Sequence, residues 1–64
     1  MNKIKIDNDN IIIDNNDEYF WDITKDSKVN IEVNKNISSK LVIINNEHDV
    51  DLEINLYSNA HLII

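Results

Sequence analysis

Cysteine, glycine, proline and arginine are all absent from the 64 residues, and alanine occurs once, as Ala60. Each absence excludes something. Without cysteine there is no disulfide framework, no thiolate metal site and no cysteine nucleophile, and the redox compartment is left unmarked. Without glycine there is no Gly-rich loop to cradle a phosphate, and tight two-residue hairpins lose the residue they favour most. Twelve acidic residues face six lysines, a net charge of −6. The basic footprint of nucleic-acid or anionic-membrane binding is therefore missing. No apolar run approaches the roughly 18 residues of a membrane span. Near the start, Asp7 and Asp9 stand where the apolar part of a secretory leader would follow Lys3 and Lys5. The expectation is a cytoplasmic protein with no nucleic-acid or membrane partner and no cofactor. The Asn36-Ile37-Ser38 sequon means little without a secretory signal.

Isoleucine and asparagine together fill 25 positions. Residues with A/T-rich codons are enriched and those with G/C-rich codons are missing, which points to a low-GC genome. Seven short apolar runs stand out, at 3–6, 11–13, 19–23, 29–33, 41–44, 50–57 and 60–64. They start about nine or ten residues apart on average, the spacing of short strands in an all-β fold. β-Branched residues dominate the apolar set and lose χ1 freedom in a helix, so strands are favoured again.

The clearest strand is 50–56, where Val50, Leu52, Ile54 and Leu56 share one face and Asp51, Glu53 and Asn55 the other. Val29, Ile31 and Val33 repeat the pattern, with Asn30, Glu32 and Asn34 outward. Runs 11–13, 41–44 and 62–64 are continuous, which predicts cover on both faces or a bend. Run 19–23 carries three of the four aromatics and is expected to plug one end of the core.

Between the runs, Asn and Asp tolerate positive φ and bond back to their own backbone. Segments 7–10, 14–17, 26–27, 34–36, 45–49 and 58–59 can all turn the chain. Wider corners suit a glycine-free chain better than hairpins. The predicted architecture is a short right-handed parallel β-helix-like stack forming one small domain over 1–64, with a small antiparallel sandwich or meander as the alternative. A domain this small buries only about 60% of its unfolded surface and commonly leans on association. Leu62, Ile63 and Ile64 form an apolar run with no polar terminator, and a stack needs a polar cap. They are expected to be covered by a protein partner, by a second copy in a homo-oligomer, or by further chain of a longer β-helix.

Candidate chemistry is sparse. Glu47, Asp49, Asp51 and Glu53 alternate as an acidic ladder, able to meet a basic partner as DNA mimics do, or to hold a hard cation. His48 and His61, thirteen residues apart, could meet on adjacent coils and bind a metal with Asp49. Asp7-Asn8-Asp9 with Glu18 superficially matches a calcium loop, but Ile11 and Ile12 stand where an oxygen ligand and the turn glycine are needed. Ser27, Ser38, Ser39 and Ser58 lie in no nucleophile context, so no enzyme is expected.

The second half carries a family likeness. Val29-Asn30-Ile31-Glu32-Val33-Asn34-Lys35-Asn36, Leu41-Val42-Ile43-Ile44, Asp51-Leu52-Glu53-Ile54-Asn55-Leu56 and Ser58-Asn59-Ala60-His61-Leu62-Ile63-Ile64 resemble the start of the β-helix in the SufB/SufD family of iron–sulfur cluster assembly scaffolds. The resemblance covers residues 29–64. It implies a right-handed β-helix and a scaffold role beside an ATPase partner. The family's cluster-related residues lie in a later part of those proteins and map to nothing here.

Overall fold

The computed structural model describes residues 2–3 and 10–64 and contains strands, turns and bends but no helix among them. The strands are β1 (Asn2–Lys3), β2 (Asn10–Ile13), β3 (Glu18–Asp22), β4 (Ser27–Val33), β5 (Ser38–Ile44), β6 (Val50–Leu56) and β7 (His61–Ile63). Each predicted apolar run from 11 onward lies on or overlaps a strand. Of the first run only Lys3 falls in β1, and Ile4, Lys5 and Ile6 lie outside the described residues, as do most of segment 7–10 and the Asp7-Asn8-Asp9 motif.

Odd and even strands separate into two sheets, β1-β3-β5-β7 and β2-β4-β6, and every described pair is parallel. The antiparallel sandwich is therefore overturned. Its physical requirement, a chain that returns beside itself, is not met, because no two consecutive strands share a sheet. Corners of four or five residues carry the chain across to the opposite sheet instead. A parallel pair needs a long connection, and here the intervening strand of the other sheet supplies it. Register advances from Asn2 to Tyr19, from Asn10 to Asn30, from Tyr19 to Leu41 and from Ser27 to Val50, so 17 to 23 residues separate neighbours.

The inward faces of the two sheets make the core. Ile11 and Ile13 of β2 and Val29, Ile31 and Val33 of β4 pack with Trp21, Ile23 and Leu41 from the other side. Identical or similar side chains stack along the sheets: Ile11 beside Ile31 beside Ile54, and Trp21 beside Ile43. Burying each such side chain contributes about 1.5–3 kcal/mol. Trp21 is the largest of the fully buried side chains, with Tyr19 packed at the edge of the same cluster. Phe20 points the other way and is half-buried. The continuous runs are not covered on both faces. Strand alternation turns Ile12, Ile44 and Ile63 outward, 60%, 39% and 66% exposed.

Asparagine replaces glycine at two corners. Asn36 and Asn59 have φ of 64° and 61°, in four-residue turns closed by Ile37 N–H to Asn34 O (3.1 Å) and Ala60 N–H to Tyr57 O (2.9 Å). A positive φ at the third residue of such a turn calls for Gly or Asn. The two corners stack, since Asn36 N–H donates to Ser58 O (2.9 Å) and His61 N–H to Ile37 O (2.8 Å). On the other side of the first of them, Ser38 N–H donates to Asn16 Oδ1 (2.8 Å) and Ser39 Oγ donates to Asn15 O.

Candidate functional site

Burial fades toward one flank. Val33 is fully buried, while Leu56, its neighbour in register, is 52% exposed. Leu52, Ile54 and Leu62, which also face inward, are only half-buried, and Ile64 is 64% exposed. The sheet order contributes. β6 and β7 are the last strands of their sheets and are joined by one four-residue turn, so both outer edges open on the same side. Among the described residues nothing pairs with these edges, and each presents a row of free N–H and C=O groups.

Beside the open edge the outer face of the three-stranded sheet is polar. Asp51 and Glu53 are exposed on β6, next in register to Lys28 and Asn30 of β4. A shallow groove of about 450 Å³ runs over them, lined by Asn10, Lys28, Val29, Asn30, Asp51 and Glu53. Asparagine amides bridge the strands along this face. Asn30 Nδ2 donates to Asn10 Oδ1 (3.3 Å), and Asn55 Nδ2 donates to Asn30 Oδ1 (2.7 Å). Further along the same face, Tyr57 Oη donates to Glu32 Oε1 (3.3 Å). The Glu32 carboxylate, through its charge and then through this hydrogen bond, raises the Tyr57 phenol above its ordinary pKa.

The predicted acidic ladder is half right. β6 begins at Val50, so only Asp51 and Glu53 share a strand face. Glu47 and Asp49 belong to the preceding corner, where Asp49 N–H donates to Asp26 Oδ1 (3.0 Å). That corner holds itself together through Asn45, whose Oδ1 accepts from His48 N–H (3.0 Å) and whose Nδ2 donates to His48 O (2.8 Å).

The two histidines do not meet. His48 follows the end of β5 and has Nδ1 3.5 Å from Asp26 Oδ1. His61 lies beside Ser38 at the start of β5. The length of a strand, about 20 Å at ~3.3 Å per residue, separates the two positions. No group of three His, Asp or Glu side chains converges on a metal-sized site among the described residues. Ala60 and Leu62 pack toward the core while His61 is exposed, as their alternation predicts.

Sequence reasoning missed two parts of this surface. Leu56 has the alternation of a core residue, yet it lies exposed on the last strand of its sheet. The asparagine bridge was also missed, although Asn10, Asn30 and Asn55 recur at about the spacing later seen between paired strands.

No family model, no curated protein and no solved structure matches the chain. No helix among the described residues is long and apolar enough to cross a membrane.

Proposed function

We propose that this chain is a non-catalytic interaction scaffold: a short parallel β-helix-like stack whose working surface is the β6–β7 flank. The observation that carries this reading is the pair of parallel edges, unpaired among the described residues and facing one way, with Leu56 and Ile64 exposed along them. An edge of that kind is a template for another strand. A stack of strands that buries each flank against the next needs something there. The likeness of residues 29–64 to the opening of SufB/SufD scaffolds supports the same role, with iron–sulfur cluster assembly as the setting.

Sedimentation equilibrium tests the reading. At micromolar concentration the chain is expected above its 7.5 kDa monomer mass. Ile63→Lys together with Leu56→Lys, both on exposed positions, is expected to return it to monomer with an unchanged circular dichroism spectrum. A wild-type chain that is monomeric and also binds no strand-forming peptide overturns the proposal. The exposed Asp51 and Glu53 favour one refinement, that the flank is recognised through acidic groups.

A further inference from the structure

The open edge of β6 carries information about the chemistry of its occupant. On the outer faces, neighbouring strands bring opposite charges into register: Glu18 with Lys40 between β3 and β5, and Lys28 with Asp51 between β4 and β6. Opposite charges side by side on one sheet face stabilise a pairing, and like charges weaken it. At β6 the alternation stops on acid. Asp51 and Glu53 are exposed, Asp49 is exposed just before them, and Lys28 is the only lysine on this face among the described residues. The amide bridge stops at the same place, for Asn55 donates inward to Asn30 and its own Oδ1 accepts nothing from the described residues.

We propose that the β6 edge binds an extended segment of a partner protein as an added parallel strand, with Lys or Arg beside Asp51 and Glu53 and apolar side chains beside Leu52 and Ile54. This rests on the β6–β7 flank being the working surface, and adds the chemistry of what covers it. Backbone hydrogen bonds to the free edge supply affinity, and the alternate side chains supply selectivity. An added strand lies about 4.8 Å away, well inside the ~8 Å screening length at physiological salt. A second copy pairing β6 against β6 instead lays the Asp51 and Glu53 carboxylates of both chains along one face. Charge therefore selects a basic strand over a second copy at the β6 edge, and self-association runs through the β7 side, where Ile63 and Ile64 are exposed.

Fluorescence anisotropy with two labelled short peptides tests this on the whole chain. One alternates lysine with valine and isoleucine, and the other has glutamate in place of each lysine. The basic peptide is expected to bind roughly tenfold tighter or better, with the preference shrinking at about 0.5 M salt, and to protect β6 amides from hydrogen exchange. Asp51→Asn with Glu53→Gln should erase the preference, and Asp51→Lys with Glu53→Lys should reverse it. The neutral pair guards against misfolding of the reversed one. Equal binding of both peptides by the wild type overturns the charge rule while leaving the open flank in place. A basic preference that survives the neutral pair, or comes without β6 protection, places binding elsewhere and also overturns it. If neither peptide binds, the added strand fails. If the chain is then monomeric as well, the scaffold reading fails with it.

Discussion

Ile31 and Ile54 are the same residue at the same register position on adjacent strands, yet one is fully buried and the other only half-buried. The two differ in what flanks each. Ile31 has Ile11 on one side and Ile54 on the other, whereas Ile54 has a described neighbour on one side alone. β4 is thus a finished piece of core, and the β6–β7 flank is the same construction with a strand neighbour on one side only among the described residues. Between Ile31 and Ile54 burial follows the strand rather than the residue type, and edge position alone is not the cause, since Ile13 on β2 is fully buried with one described strand neighbour.

The largest test of that contrast is truncation. Ile31→Ala is expected to cost about 2–5 kcal/mol, the range for deleting a buried aliphatic side chain. Ile54→Ala is expected to cost roughly half as much, in proportion to the apolar area it removes from water. Urea unfolding under monomeric conditions measures both. Equal losses would show that Ile54 is as buried as Ile31 within the monomer, and that the contrast between the two strands does not hold.

The corners give a smaller effect of the same kind. Asn36 and Asn59 both sit at positive φ, where a Cβ without a compensating polar group costs roughly 1–2 kcal/mol. Either one changed to Ala should lose about that much, and either changed to Gly should stay within about 0.5 kcal/mol of wild type. The Asn36 corner lies between two others that hydrogen-bond to it, while the Asn59 corner is stacked on one side only. Asn36→Ala should therefore be the worse of the two, and thermal unfolding of the paired variants decides it.

The smallest effect is the alkaline titration of Tyr57. The negative charge of Glu32 disfavours the phenolate, and the neutral phenol is the form that donates to it, so the Tyr57 pKa lies above the ordinary value of 10.0. A raised folded pKa means that any stabilisation is complete below the unfolded pKa and is lost as pH rises through the folded one. Glu32→Gln in a Tyr19→Phe background should bring the phenolate absorbance transition back toward the ordinary value. No change would mean that Tyr57 and Glu32 are not in contact at the flank.

Much of the strand inventory was legible because its signals are local. Period-two alternation places Val29, Ile31 and Val33 inward without reference to any other strand. The turn role of Asn36 and Asn59 likewise follows from what an asparagine backbone tolerates. The candidate site was less legible. Asp51 and Glu53 read correctly as an exposed face, but Glu47 and Asp49 follow the same alternation and lie in a corner. The pattern continues past the point where the backbone stops being a strand. His48 and His61 are close in sequence and at opposite ends of β5, which nothing between them signals.

The sequence by itself determined that this is an all-β chain of short strands, which side of each strand is apolar, and how a chain without glycine turns. Tertiary structure alone decided that alternate strands pair in parallel, that Leu56 lies exposed where Val33 is buried, and that asparagines from three strands bridge one face. The reason is range. Alternation and φ preference act over two to four residues, whereas each strand pairing here joins residues about 20 apart, and only the assembled sheets show which edge is left without a neighbour.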